Sequence, residues 1–173
     1  MPAELTQPHE SALGIDPGNF DTAYVLLTGD RKIVSFGKLP NADFVARLQS
    51  IVEQCPTRVA VEMVCSYGMA VGASVFETCV EIGRYRQLIS SLAPKLPVDL
   101  VPRLEVKRAI CHNPSANDAN IRAALIDLFG PPGRKSEPGA TYGITKDVWA
   151  ALALAETARS GEYRPYVYSN LRA

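Results

Sequence analysis

The apolar run Leu13-Gly14-Ile15 ends in a carboxylate, Asp16. Pro17-Gly18 follows at once, and a second apolar run, Ala23-Tyr24-Val25-Leu26-Leu27, comes a few residues later. Two β-strands joined by a tight turn account for the spacing, with Asp16 opening the turn. A turn alone does not account for a carboxylate at the end of a buried strand. Burying an unpaired carboxylate costs on the order of several kcal/mol, so such a group is paired, hydrogen-bonded or metal-bound.

The rest of the chain extends this hairpin into a layered α/β pattern. Residues 32–39 read as a third strand, with Asp30 in the turn before it. Phe44, Val45, Leu48, Ile51 and Val52 recur at helical spacing, with Asn41 as the expected N-cap and Pro56 beyond the end. Residues 58–64 are a short β-branched run, read as a buried strand with a second carboxylate, Glu62, at its carboxyl end. Ser66-Tyr67-Gly68 is a loop. A long helix is expected over about 70–92, with Val71, Val75, Cys79, Ile82, Tyr85 and Ile89 as its apolar stripe. Residues 97–102 read as the last strand and 104–111 as a short helix. Ser115 is expected to open the next helix in a capping box with Asp118. Its buried face is Ile121, Ala124, Leu125 and Leu128, and Gly130 ends it. Residues 130–141 are rich in Pro, Gly, Lys and Ser and read as a mobile loop. The closing helix, about 144–159, carries Asp147 and the run Ala150-Ala151-Leu152-Ala153-Leu154-Ala155, which suits close packing on a sheet. Antiparallel strands followed by βαβ crossovers imply an α/β fold, a five-stranded mixed sheet with helices on both faces.

Composition narrows the function classes. The chain has 173 residues, enough for one domain with a sizeable core. No apolar run approaches the roughly 20 residues of a membrane span. Residues 1–11 lack the basic start and apolar centre of a signal peptide and read as a disordered lead-in. The folded domain is expected over 12–160, with a polar, aromatic tail over 161–173. Cys55, Cys65, Cys79 and Cys111 form no C-x-x-C pair, which argues against a zinc site and for reduced thiols in a cytoplasmic protein. Of the two histidines, His9 lies in the lead-in and His112 is assigned capping or turn duty, so catalysis has to rest on carboxylates. The formal net charge of zero argues mildly against a nucleic-acid partner, although a local basic face can be offset elsewhere.

Asp16, Glu62 and Asp147 are candidates for one cluster. The first and fourth strands can be parallel neighbours, which brings their carboxyl ends together, and a closing helix packed across them supplies the third acid. Carboxylates so placed repel one another unless cations neutralise them. Mg²⁺ or Mn²⁺ suit an oxygen-only donor set, and two such ions can clamp a phosphodiester. Taken separately, the same residues read as a turn residue, a strand-end ion-pair partner and a first-turn acid facing the helix dipole.

Gly14-Ile15-Asp16-Pro17-Gly18, Val59-Ala60-Val61-Glu62 and Asp147-Val148-Trp149-Ala150-Ala151-Leu152-Ala153 resemble the successive motifs of RuvC-type Holliday junction resolvases, of the ribonuclease H-like superfamily. The likeness spans roughly residues 12–158. The segment from Ser66 to Tyr85 is similar to RuvC-like proteins of phages and mobile elements. The opening motif alone also resembles sugar-kinase-like ATPases, but the chain is short for their two lobes and has no second Gly-rich phosphate loop.

The resemblance implies a ribonuclease H-like fold and a structure-selective endodeoxyribonuclease in which Asp16, Glu62 and Asp147 hold two Mg²⁺ or Mn²⁺ ions. Two departures stand out. Ala150 replaces a second acid on the last helix, and Asp118 falls where a second basic residue is expected. Lys107 fits the first basic position and is assigned a role beside the scissile phosphate. Asp118 has two readings, completing the cap with Ser115 or facing the site, where it pairs with Lys107 or assists the metals. Branched DNA is the implied partner, with Arg84, Arg86, Arg103, Lys107, Arg108, Arg122, Arg134 and Lys135 as phosphate contacts. Tyr67 either stacks on an unpaired base or packs in its loop. A two-fold homodimer matches the symmetry of a four-way junction, with the long helix after residue 70 as the candidate interface. Rival readings are a ribonuclease H-type enzyme on RNA–DNA hybrids and a junction-binding protein that has lost cleavage.

Overall fold

The structure, a computed structural model, describes residues 11–168. Strands β1 (Ala12–Pro17), β2 (Asp21–Leu27) and β3 (Ile33–Pro40) form an antiparallel ladder. Helix α1 (Asn41–Val52) returns the chain to β4 (Arg58–Met63), which pairs parallel with β1. Helix α2 (Ala73–Leu92) leads to β5 (Val98–Pro102), parallel to β4. The result is the expected mixed five-stranded sheet, in the order β3-β2-β1-β4-β5. Then come α3 (Arg103–Cys111), α4 (Asp118–Phe129), the hairpin strands β6 (Gly133–Arg134) and β7 (Glu137–Pro138), and α5 (Lys146–Ser160).

Strand alternation sorts the side chains into two cores. Leu13, Ile15, Val59, Val61 and Leu100 point to α1 and α2, where Phe44, Leu48, Ile82, Tyr85 and Ile89 are buried. Ala12, Val25, Ala60 and Val101 point the other way, onto α3, α4 and the alanine-rich α5. Ten residues of α5, from Val148 to Ala158, are buried. A Cβ built on Gly14 would stand 2.2 Å from the Ala151 carbonyl oxygen and 2.4 Å from the Ala155 nitrogen. Both atoms are backbone, so α5 lies directly on β1 and no side-chain change on the helix could make room.

Several local expectations are corrected. Asn41 is not a side-chain cap. It is the first residue of α1, and its amide bridges inward, accepting from Thr22 Oγ1 at 2.8 Å and donating to the Gly18 carbonyl at 3.0 Å. Since the Thr22 hydroxyl donates to Asn41, the Tyr85 hydroxyl donates to Thr22, also at 2.8 Å. Helix α2 starts at Ala73. Its first turns overhang the sheet, leaving Cys79 exposed and Val71 and Val75 only half-buried, with Thr78 facing inward instead. The cap of α4 is Asn117, in a capping box with Asn120, and not Ser115 with Asp118. Leu128 is exposed on that helix. Residues 130–141 hold a folded hairpin closed by a 2.8 Å bond from Gly139 N to Pro132 O, where a loop was expected. His112 ends α3 in the left-handed conformation, which is capping duty as expected.

At the start of the domain, the Ser11 carbonyl accepts from Thr57 N at 3.0 Å, so Ser11 belongs to the fold and not to the lead-in. The rest of the lead-in, with His9, lies outside the described residues. Residues 161–168 of the tail run along the sheet edge, with Tyr166 N donating to Leu100 O at 2.7 Å and the Tyr163 hydroxyl hydrogen-bonded to Asp99; the rest of the tail lies outside the described residues. All four cysteines are free.

Because the obstacle at Gly14 is backbone, Gly14→Ala should lower the unfolding free energy by about 3 kcal/mol or more, the upper range for overpacking. Urea titration followed by circular dichroism checks this. A parental midpoint would mean that α5 can lift off β1 without cost.

Candidate active site

The alternation that builds the α5-facing core also aims the acids. Asp16 has the parity of Ala12 and Gly14, and Glu62 that of Ala60, so both point to the α5 side. The β1–β4 register ends at Ile15 opposite Val61, which sets the next residues, Asp16 and Glu62, side by side at the carboxyl ends of their strands. Asp147, on the first turn of α5, completes the set. The three line one cleft of about 800 Å³, together with Arg103, Asp118 and Arg122. Sequence spacing therefore brought together the residues it named for the metal cluster.

Two cations bracket these acids. Arg103 opens α3 directly after β5. Its Nη1 lies 3.6 Å from Glu62 Oε2, and its Nη2 donates to Asp118 Oδ1 at 2.6 Å. On the other side, Asp16, Ala23 and Lys38 occupy one row across β1, β2 and β3. The small Ala23 lets Lys38 reach over, and its Nζ lies 2.7 Å from Asp147 Oδ2 and 3.4 Å from Asp21 Oδ2.

The centre of the cleft is short of positive charge. Burial first, and the neighbouring Glu62 charge second, push the Asp16 carboxyl up to about 8, against the pull of Arg103. Burial also raises Glu62, whose side chain is 19% exposed; Arg103 opposes the shift and Asp118 adds to it. Burial and mutual repulsion thus favour a shared proton on this pair of carboxyls, on the Asp16 side. Lys38 is held charged by its hydrogen bond and proximity to Asp147.

The donors suit a hard divalent cation. They are carboxylate oxygens only, and two of them are desolvated and repel each other. In the geometry described, Asp147 is turned to Lys38 and Arg103 stands between Glu62 and Asp118. Among the described residues no three acids, histidines or cysteines converge on a single ion position.

The remaining sequence-named residues divide clearly. Arg122 lies over the Trp149 ring, 5.3 Å from its centroid, at the cleft wall. Tyr67 follows β4 in a left-handed turn and is 63% exposed. Lys107 is half-buried on α3 and is not part of the cleft lining, where Arg103 takes the place beside the acids. Asp118 pairs with Arg103 and not with Lys107. Arg84 pairs with Glu81 at 3.6 Å and Arg108 with Glu105 at 2.5 Å. Arg86 donates to the Tyr168 hydroxyl at 3.1 Å, near the start of β5 and away from the cleft. Arg134 and Lys135 are exposed at the hairpin. Sequence reasoning passed over Lys38. In three antiparallel strands the third runs parallel to the first, so its carboxyl end returns to the edge that holds Asp16, but only the register shows that Lys38 is the residue in line.

No protein-family model and no curated sequence matches the chain. Solved structures do. Taken first at the level of architecture, the chain has a ribonuclease H-like fold, as its sheet order shows. More narrowly, that fold is the one seen in RuvC. Thermus thermophilus RuvC in complex with a Holliday junction substrate superposes with a TM-score of 0.70 at 17% identity, covering 91% of this chain and 100% of that one. A second Thermus thermophilus RuvC structure gives 0.69 at 19% identity, with coverages of 90% and 99%. The yeast mitochondrial Holliday junction resolvase Ydc2 gives 0.52 at 13% identity, with coverages of 90% and 82%. No helix among the described residues is long and apolar enough to cross a membrane.

The raised Asp16 carboxyl has a testable sign. The native state holds a proton that the unfolded chain releases near pH 3.9, so this group's contribution to stability falls as pH rises from about 4 to about 8. Asp16→Asn should thus be more stable than the parent at pH 8 in metal chelator, and the gain should vanish near pH 4. Urea unfolding of both proteins across this range checks it. A pH-independent difference would mean that Asp16 stays ionised.

Proposed function

We propose that this protein is a metal-dependent endodeoxyribonuclease that cleaves four-way DNA junctions. The carrying observation is the gathering of Asp16, Glu62 and Asp147 from three separate elements into one cleft, on a fold shared with a RuvC structure solved on a Holliday junction. Asp16, Glu62 and Asp147 would hold two Mg²⁺ or Mn²⁺ ions. When bound, such ions activate a water and neutralise the phosphate undergoing in-line displacement.

The chain's own groups have definite tasks in this reading. Asp16 would hold an ion as its carboxylate, and Asp147 would hold one in place of its contact with Lys38. Arg103 lines the cleft beside Glu62, so its guanidinium would stabilise negative charge on a phosphate oxygen there. Arg103 therefore takes over the role first assigned to Lys107, which is left with phosphate contacts farther along the DNA. Arg122, Arg134 and Lys135 would hold flanking backbone, and Tyr67 would stack on a base beside Glu62.

A homodimer would present two such clefts to opposing strands. The overhanging part of α2 supports it. Phe76 and Val80 are 62% and 68% exposed, and Gly83 continues their stripe with open space above it. Apolar residues at i, i+4 and i+7 with a glycine among them let two helices approach closely. Gly83→Leu should give a folded monomer. Sedimentation that still reports a dimer would place the interface elsewhere.

Ala150 lines the cleft one helical turn from Asp147, so α5 offers a single carboxylate there. Asp147→Asn should fold, bind junctions like the parent and cleave at least about a hundredfold more slowly, roughly 2.7 kcal/mol of barrier. Ala150→Asp should be tolerated and partly restore that variant. The test is a cleavage panel of four-way junction, plain duplex and RNA–DNA hybrid in Mg²⁺ or Mn²⁺. Preferential hybrid cutting would favour the ribonuclease H-type reading, and tight junction binding without cleavage would favour a binding protein. Near-parental cutting by Asp147→Asn would move the third ligand to Asp118.

A further inference from the structure

Beside the main cleft lies a second cavity of about 330 Å³ that shares Asp16 and Asp147 with it. Its outer walls are Phe20 and Lys38. We propose that this cavity receives one unstacked nucleotide of the DNA strand next to the phosphate being cut, with its base on the Phe20 ring and its phosphate toward Lys38. The inference rests on the nuclease reading above and adds a nucleotide subsite to it.

Phe20 is 76% exposed, the most exposed of the large apolar side chains among the described residues. An exposed aromatic on a slack loop would mean little. This one stands on a rigid turn. Gly18 N donates to Asp21 O at 2.9 Å, and Asn41 N donates to the Phe20 carbonyl at 2.9 Å. The Asn41 amide ties the turn at Gly18, and the buried Thr22–Tyr85 bond ties Asn41 to the core. With its backbone held on both sides, only the two side-chain torsions of the ring are left to order. The ring is presented to solvent at little entropic cost, as a stacking surface should be.

The chemistry of the cavity favours a nucleotide over a protein segment. It has one aromatic wall, one cation and direct continuity with the acids, and its volume falls in the range of small-ligand sites. A protein partner seated there would cover Asp16 and Asp147. The exposed stripe of α2 lies to one side of the Phe20 turn, with Val80 about 60° around the helix from the residue that faces it. The α2 residue facing this turn is Glu77, which accepts from Asn19 Nδ2 at 3.3 Å, and Phe76 lies about 100° around the helix from it. Tyr67 stands on the opposite side of the acid pair, after β4, so the strand would meet one aromatic on each side of the cut. Base stacking on an aromatic tolerates any sequence, so Phe20 would select for an unpaired base and not for a particular one.

The test uses the full chain with Ca²⁺ in place of Mg²⁺, and binding is read by fluorescence anisotropy on a labelled four-way junction and on a plain duplex. Phe20→Ala should weaken junction binding about tenfold and leave duplex binding within about twofold. Phe20→Trp should restore junction affinity, and Phe20→Leu should not. The indole emission that Phe20→Trp adds over the Trp149 background should be quenched by the junction and unchanged by the duplex. Junction affinity in Phe20→Ala equal to the parent would overturn the subsite while leaving the nuclease reading intact. So would equal losses on junction and duplex, or conversion to a monomer in sedimentation, which would assign Phe20 to a contact between copies. A parent that neither binds nor cuts junctions would overturn both.

Discussion

Backbone-to-backbone contact between β1 and α5 is the constraint on which the site depends. Gly14 has no side chain, so the Ala151 carbonyl and the Ala155 nitrogen can lie where a Cβ would otherwise be. This closeness fixes the distance between the sheet and the first turn of α5, and hence between Asp16 and Asp147. A helix riding on larger side chains would sit several Å higher, since helix packing distance follows the residues at the contact. The small residues of α5 serve the same end. A packed core admits few intermediate spacings, so the acids are positioned by the same contacts that stabilise the fold.

Charge pairs hold α5 at both ends of that contact. At its start, Asp147 meets Lys38 on β3. Near its end, the buried Glu156 accepts from Arg31 at 3.0 Å and from Arg159 at 2.7 Å, and Arg159 also reaches the Gly29 carbonyl at 3.3 Å. The two pairs differ in burial. The Glu156 carboxylate is almost fully enclosed, and removing its partners would strand a buried charge. Lys38 and Asp147 are both about two-fifths exposed, so water screens their attraction and the pair contributes little to stability. That is the weaker end, and it is the one at the candidate site, where a carboxylate has to exchange partners.

The sequence made the sheet and the acid pair legible because both follow from local period and strand order. Asp16 and Glu62 end apolar runs whose parallel pairing sets them side by side, and the alanines of α5 pointed to close packing. The misreadings share a different cause. Asn41 and Ser115 both sit at positions where a polar residue commonly caps a helix. At Asn41 tertiary partners, Thr22 and Gly18, took the side chain; at Ser115 a better local box, Asn117 with Asn120, formed two residues on. Arg103 and Lys107 lie one turn apart on the same helix, and only the angle at which α3 leaves β5 decides which one reaches Glu62. Lys38 depends on a three-strand row with a small residue in the middle. No one-dimensional pattern marks such a row until the register is known.

The formal neutrality of the chain conceals a local imbalance that bears on any DNA reading. At the carboxyl end of the sheet, Asp16, Asp21, Glu62, Asp118 and Asp147 stand among Lys38, Arg103, Arg122 and Lys146. Even with a proton on Asp16, this edge offers a phosphate no surplus of positive charge. Two divalent cations would supply that surplus, and the desolvated setting would make its field strong. On the proposed reading, the cleft then admits the scissile phosphate only after the ions have entered, while Arg122, Arg134 and Lys135 can hold the flanking DNA without them. Grip and cutting would thus depend on different charges. A neutral chain can bind nucleic acid in this way because the field that matters is set residue by residue at the sheet's edge and not by the net charge.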